Sequence, residues 1–173
     1  MRAALAAVVV IAACGGAGTD ATPDAPFVFI AFPSTFQPFR TWTSFHSDGP
    51  ADDGTFPADV LGPRTQYINM PPPHGATEFP IGTVIVEARE SGGNKIFAGV
   101  KRGFDYNKTG AKNWEWFELL ETDGVVTILW RGVGPPDGES YGGDPNGGCN
   151  TCHASCGASN DYVCSPKLQL STF

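Results

Sequence analysis

The feature that most constrains this chain is the pentapeptide Cys149-Asn150-Thr151-Cys152-His153, near its C-terminal end. In a helix, cysteines three residues apart lie about one turn apart on one face, so a single planar ring can meet both thiols. The histidine that follows can place its imidazole beneath the centre of that ring. This combination is typical of c-type haem, in which both thiols bond to the porphyrin and the imidazole binds the iron. The sequence therefore predicts haem c, with its iron, as cofactor.

The same two cysteines could instead form a disulfide or half of a zinc site. A zinc site needs two more soft ligands at a similarly close spacing, and Cys156 and Cys164 are eight residues apart. A thioredoxin-like motif would follow a buried strand in a β-α-β unit, whereas residues 132–148 form a long segment rich in Gly and Pro. Loops of this length are usually functional or disordered. We expect this one to border the haem pocket.

The N-terminal segment has the pattern of a bacterial export signal. Arg2 is followed by an apolar run over residues 3–13, which is too short to span a bilayer. The run ends in Ile-Ala-Ala-Cys-Gly, which resembles a lipobox, so Cys14 is predicted to become the lipid-modified first residue. The alternative is ordinary cleavage near Ala13, which would leave Cys14 as a reactive thiol. Export suits the haem, because c-type attachment takes place outside the bacterial cytoplasm.

The cysteine count favours lipidation. With Cys14 acylated, four of the five cysteines remain: two for haem, and Cys156 and Cys164, which can pair. Their disulfide would close a small loop and stabilise the fold by roughly 2–3 kcal/mol. The protein is then predicted to be exported and anchored to a membrane, facing the periplasm or the cell surface.

Three segments follow from this pattern. Residues 1–13 are predicted to be a lipoprotein signal peptide, 14–26 a flexible tether with almost nothing to bury, and 27–173 one haem domain. The formal net charge of −7 argues against nucleic acid and against an anionic membrane surface as partners.

Hydrophobic patterning predicts an α+β fold, mainly an antiparallel β-sheet with a few helices, and with the haem motif on a C-terminal helix. Phe39, Trp42, Phe45 and His46 fall at helical spacing after Pro38, which predicts a helix there. Residues 27–31 are expected to be a strand or an extended arm. Period-two alternation predicts strands over residues 65–70, 82–90, 95–102, 113–120 and 125–131. Turn residues at 91–94 and 121–124 make hairpins of the last four, and Trp114 and Trp116 are expected to pack on one face.

The order of several motifs resembles the cytochrome P-460 family, including its cytochrome c′-beta relatives, from about Phe39 onward. They are Arg64-x-x-Tyr67-x-Asn69, Phe79–Val86, Val100–Gly103, Trp114–Phe117, the pentapeptide and Asp161-Tyr162-Val163. The resemblance implies a mainly antiparallel β fold, often dimeric, and a high-spin haem with His as the only strong protein ligand. It also implies oxidation of hydroxylamine or binding of nitric oxide, and a redox partner protein for the electrons.

Carried onto this chain, the resemblance makes His153 the proximal ligand, and Cys149 and Cys152 the thioether residues. A distal carboxylate that relays protons is best matched by Asp144, with Asp137 and Glu139 as weaker options; Asp144-Pro145-Asn146-Gly147 fits a simple turn equally well. The hydroxylamine-oxidising members also bond a lysine to the porphyrin. The strand after Phe79-Pro80 has none, and this departure counts against the activity. Lys101 is the nearest candidate, with a solvated or propionate-pairing charge as its alternative role, and Arg64 is the other cofactor-binding candidate.

Two function classes remain open on the sequence. The first is a haem site with a vacant distal position, either a nitric oxide binder or an oxidase of hydroxylamine-like compounds. The second is a six-coordinate electron-transfer cytochrome that uses Met70 or His74 as sixth ligand. A lipoprotein that keeps the fold without useful chemistry is a third, simpler alternative.

Overall fold

The computed structural model describes residues 27–49, 62–90, 96–134 and 148–173. Within these ranges the chain forms six strands, each antiparallel to the next and arranged in sequence order. The strands are β1 (Thr43–Ser47), β2 (Arg64–Ile68), β3 (Val84–Arg89), β4 (Ile96–Lys101), β5 (Trp114–Thr122) and β6 (Val125–Gly132). Two short helices, α1 (Pro33–Phe36) and α2 (Gly148–Ser155), and three 3-10 turns complete the described part. The mainly antiparallel α+β class is therefore confirmed.

One face of the sheet packs against the N-terminal part of the domain. Phe36 of α1 and Phe39 of the adjoining 3-10 turn (Phe39–Thr41) are both fully buried against it. Alternate residues of a strand point to opposite faces, and those on this face form the first core cluster. Its sheet members are Val84, Val86, Ala88, Ile96, Ala98, Val100, Phe117, Leu119 and Val126.

The opposite face carries larger aromatic side chains and the C-terminal part of the chain. Trp114, Trp116 and Trp130 join Ile68 and Ile85 in a second core cluster. Val163, Leu168 and Leu170 pack on it from the C-terminal segment, and Cys149 of α2 packs at its border. The sheet therefore separates a core of aliphatic and phenylalanine side chains from an aromatic surface on which α2 lies.

The predicted helix at Phe39–His46 is wrong. One 3-10 turn ends at Thr41, and β1 then pairs residue by residue with β2, from Thr43 opposite Ile68 to Ser47 opposite Arg64. The aromatic residues do not share a face, because Phe39 and Trp42 pack on the first cluster and Phe45 packs on the second. Cross-strand pairing outweighs the apparent helical spacing.

The remaining strand predictions agree with the structure to within a few residues. Residues 27–31 form an extended arm that is not one of the six strands, and in it Phe29 N donates to the Arg102 carbonyl over 3.1 Å. The β5–β6 turn is at Asp123-Gly124, where both residues have positive φ (51° and 76°), as a tight hairpin turn requires. The turn predicted at 91–94 lies outside the described residues.

The described ranges contain no helix that is both long and apolar enough to cross a membrane. The predicted signal peptide and tether, Cys14, and the acidic candidates Asp137, Glu139 and Asp144 all lie outside these ranges.

Candidate functional site

The pentapeptide lies within α2, so its two cysteines occupy one side of a short helix. Cys149 and Cys152 are thiols, and both side chains are half-buried. Three residues of α-helix correspond to a little less than one turn, about 4.5 Å of rise. The two thiols are therefore presented together, beside the aromatic surface of the sheet.

His153 is held by contacts on its Nδ1 edge and on its ring face. Its Nδ1 lies 2.9 Å from the carbonyl oxygen of Tyr162 and 3.6 Å from Cys164 Sγ. The imidazole stacks on Trp116, with ring centroids 3.9 Å apart and planes inclined by 26°. A carbonyl oxygen can only accept, so Nδ1 carries the proton and Nε2 keeps its lone pair. Nε2 is the nitrogen that a metal would bind.

Burial lowers the pKa of His153, while its hydrogen bond to the Tyr162 carbonyl and the nearby Glu87 carboxylate act in the opposite direction. Desolvation is the largest of these effects, because a charged imidazolium loses hydration when it is buried. The side chain is therefore neutral near pH 7, which is the state that ligates metals.

Trp116 borders the same site from strand β5. Its indole Nε1–H is buried, and no hydrogen-bond partner for it is found in the described part of the chain. Such donors are rarely left unsatisfied in native proteins. An acceptor beside His153 would satisfy it.

Asn150, between the two cysteines, fastens α2 to the loop that joins β4 to β5. Its Oδ1 accepts from Ala111 N over 2.8 Å and from Asn107 Nδ2 over 2.5 Å, and its Nδ2 donates to the Thr109 carbonyl over 2.8 Å. Gly110 has φ +90°, and a Cβ there would lie 2.3 Å from Asn150 Nδ2, so glycine permits the close approach. The helix that carries the cysteines is thus held in place by Asn150, which occupies one of the two positions that the Cys-x-x-Cys-His motif leaves open.

Cys156 and Cys164 form a disulfide, with Cα atoms 5.3 Å apart. It joins the residue that follows α2 to a segment that also contains Tyr162. The covalent loop therefore includes the carbonyl that accepts from His153.

Lys101 lies in the interior of the protein, so its charge is not solvated as its alternative role would require. Its ammonium group is 2.5 Å and 2.7 Å from the two carboxylate oxygens of Asp161, and both side chains are almost completely buried. Its Nζ also lies 5.5 Å from the centroid of a Trp114 ring. Burial raises the pKa of the Asp161 carboxyl, and the hydrogen bond from Lys101 opposes that shift.

Arg64 lies in a polar network on the aromatic side of the sheet. Its Nη1 donates to Glu87 Oε1 over 2.9 Å, and Gln66 Nε2 donates to Glu87 Oε2 over 3.0 Å. Ser165 Oγ donates to Gln66 Oε1, which connects the network to the C-terminal segment. Glu87 is thus held on two sides by donors.

The two candidate sixth ligands lie between β2 and β3. Met70 is 38% exposed. His74 lines a groove of about 620 Å³ together with Ala158, Ser159, Leu170 and Phe173. Among the residues described, no group of three or more His, Cys, Asp or Glu side chains could hold a metal ion by itself. A haem iron needs only one such side chain, because the porphyrin supplies its other nitrogens.

Sequence reasoning proposed the cysteines and His153 as site residues but missed the residues that hold them. Asp161 and Tyr162 both adopt left-handed backbone conformations, with φ of 48° and 65°. The acceptor for His153 is a backbone carbonyl, which has no residue-type pattern. Asn150 occupies a position that the motif leaves open.

No model of a known protein family matches the chain, and no characterised protein or solved structure was found to be similar to it. The resemblance to the cytochrome P-460 family therefore stays a prediction.

Proposed function

We propose that this protein is an exported c-type haem protein whose iron is ligated by His153, is high-spin, and binds or oxidises small nitrogen species such as nitric oxide and hydroxylamine. The observation that carries the proposal is the state of His153. It directly follows two helix-borne thiols, and its Nδ1 donates to a backbone carbonyl, which leaves Nε2 as the ligand nitrogen. Metal-binding histidines commonly have such a second partner, which orients the ring and raises its basicity.

Three further observations fit a porphyrin. Cys149 and Cys152 are half-buried thiols near one another on α2, at the spacing of two thioether bonds. The neighbouring sheet face is rich in aromatic side chains, which suits a large apolar ring. The buried Nε1–H of Trp116, whose ring stacks on His153, has no acceptor among the described residues. We propose two thioether bonds and no third bond from lysine, because the Lys101 ammonium is already paired with Asp161.

When bound, haem supplies an iron that holds the small ligand and accepts electrons from it. The chain's own part is to bind and orient that group. His153 donates from Nε2, Tyr162 fixes the imidazole, and Asn150 fixes the helix that carries the thiols. Oxidation of hydroxylamine also releases protons, which a carboxylate must accept. We assign that role to Asp144, on the strength of its place shortly before the motif.

The experiment that tests the proposal replaces the iron ligand and leaves the attachment residues unchanged. The variant His153→Ala, produced with a haem-maturation system, should still carry haem after denaturation but lose the wild-type ferrous spectrum. His46→Ala is a matched control, because the His46 side chain is exposed and its ion pairs are with the surface residues Asp48 and Glu90. That variant should keep the spectrum. A wild-type protein without covalent haem, or an unchanged ferrous spectrum in His153→Ala, would contradict the proposal.

The wild-type ferrous spectrum also separates the function classes. A high-spin spectrum that changes on addition of nitric oxide supports a vacant distal site. Hydroxylamine oxidation, followed with an artificial electron acceptor, then distinguishes an oxidase from a gas-binding cytochrome. Sharp low-spin bands that vanish in Met70→Ala or His74→Ala would instead identify a six-coordinate electron carrier.

A further inference from the structure

Lys101 is among the largest fully buried side chains of the described residues. A buried ammonium group is unfavourable unless an opposite charge and hydrogen bonds replace its hydration. Asp161 provides both, with contacts of 2.5 Å and 2.7 Å, and Glu78 Oε2 lies at 3.4 Å from the outer side. The position of the Asp161 carboxylate is therefore determined by the lysine that rises from β4.

The backbone of Asp161 is also held by hydrogen bonds. Its carbonyl accepts from Trp114 Nε1 over 2.8 Å and its N–H donates to the Ala158 carbonyl over 3.0 Å, while Phe79 N donates to the carboxylate Oδ2 over 2.9 Å. Asp161 and Tyr162 are both left-handed, a conformation that is uncommon for residues with side chains; Asp tolerates it, whereas a bulky residue such as Tyr162 adopts it where its surroundings favour it. The carbonyl at the end of this two-residue turn is the one that accepts from His153.

We infer that the buried Lys101–Asp161 ion pair is a positioning pair for the iron ligand. It holds the left-handed turn, and through the turn it holds the Tyr162 carbonyl on Nδ1 of His153. The inference rests on the proposed function, since it concerns the histidine that binds the iron. It gives Lys101 a role that differs from a covalent or propionate contact with the porphyrin.

The consequence for the iron has a definite sign. A carbonyl that accepts from Nδ1 makes Nε2 a stronger donor, which strengthens the iron–imidazole bond and favours the ferric state. Loss of the ion pair lets the turn relax and weakens that hydrogen bond. The ferrous iron–histidine stretching frequency should then fall, and the reduction potential should rise.

The test uses Asp161→Asn and Lys101→Met in the full-length haem protein. Asn removes the charge but tolerates the left-handed backbone, so Asp161→Asn remains informative if Lys101→Met does not fold. The matched control is the exposed pair Lys112–Asp105, whose charged atoms lie 3.4 Å apart, altered as Lys112→Met and Asp105→Asn. Resonance Raman spectroscopy of the ferrous protein and redox titration provide the readouts, with urea unfolding measured alongside.

A lower iron–histidine frequency and a higher potential in the Lys101 and Asp161 variants, but not in the controls, would support the inference. If the pair only stabilises the fold, urea stability falls while frequency and potential stay at wild-type values, and the inference is overturned with the proposed function intact. A wild-type protein that shows no iron–histidine band overturns both.

Discussion

Asn150 shows how much one side chain at this site can contribute to the free energy of unfolding. The variant Asn150→Ala removes three hydrogen bonds to residues 107–111 and leaves the backbone N–H of Ala111 without its acceptor. An unsatisfied buried donor costs about 1–3 kcal/mol, so we expect the free energy of unfolding to fall by that amount. Urea titration of the haem protein measures it.

Thr151→Ala is the control for this prediction, because Thr151 is the neighbouring variable residue of the motif and its side chain is exposed. It should change the unfolding free energy by less than about 0.5 kcal/mol. Equal losses in the two variants would show that Asn150 does not anchor the helix.

At the same scale, sequence reasoning could propose a ligand set but not its support. The spacing of Cys149, Cys152 and His153 is itself chemical information, because two thiols and an imidazole at this spacing can meet one ring. The partner of His153 is a backbone carbonyl, and we infer that its position depends on a lysine 61 residues from Tyr162 along the chain (162 − 101). Only the fold shows that β4 brings Lys101 to that place.

Among the elements, the segment that follows α2 depends on the Cys156–Cys164 disulfide. The double variant Cys156→Ser/Cys164→Ser should lower the free energy of unfolding by about 2–3 kcal/mol, the loop-closure entropy expected for a loop of this size. The corresponding fall in Tm is about 5–10 °C for a domain of this length. Thermal unfolding followed by circular dichroism measures both.

Wild-type protein treated with a thiol reductant is the control for the double variant. The proposed thioether bonds to haem would resist such reductants, so any loss of stability reports on the disulfide alone. Reduced wild type and the double variant should unfold at the same temperature. A double variant as stable as the oxidised wild type would show that the loop is held by its other contacts.

The error at Phe39–His46 has a physical cause at the scale of the element. Phe39, Trp42 and Phe45 have helical spacing, but this spacing also arises where a chain crosses the edge of a sheet and packs on both faces. Phe39 and Trp42 contact the first cluster, and Phe45 contacts the second. A short segment with several aromatic residues is ambiguous from periodicity alone, whereas β3 to β6 were predictable because their alternation is long and ends in turn residues.

At the scale of the whole molecule, the two faces of the sheet have different roles. The face with Phe36 and Phe39 provides an apolar core, which is bordered by the ion pair between the buried Glu115 and Arg131. The aromatic face supports α2, His153 and the Lys101–Asp161 pair. Substitutions in the first cluster should therefore act through stability, while those in the second should also alter the proposed iron site.

The last prediction concerns where this domain is held. If Cys14 is acylated after export, the domain stays near the membrane through residues 14–26. These thirteen residues (26 − 14 + 1) reach at most about 45 Å when extended. One acyl chain gives only marginal membrane binding, whereas the several chains of a bacterial lipoprotein anchor it stably.

Wild-type protein should then sediment with membranes and be released by detergent, and Cys14→Ser should either be soluble or accumulate as unprocessed precursor. Ala13→Ser, which changes the neighbouring residue and keeps the cysteine, is the control and should remain in the membrane fraction. Mass spectrometry of the wild-type N-terminus decides the matter directly: a mature chain that begins at another residue and lacks acyl groups would refute the anchor, and the haem domain would then be free in its compartment.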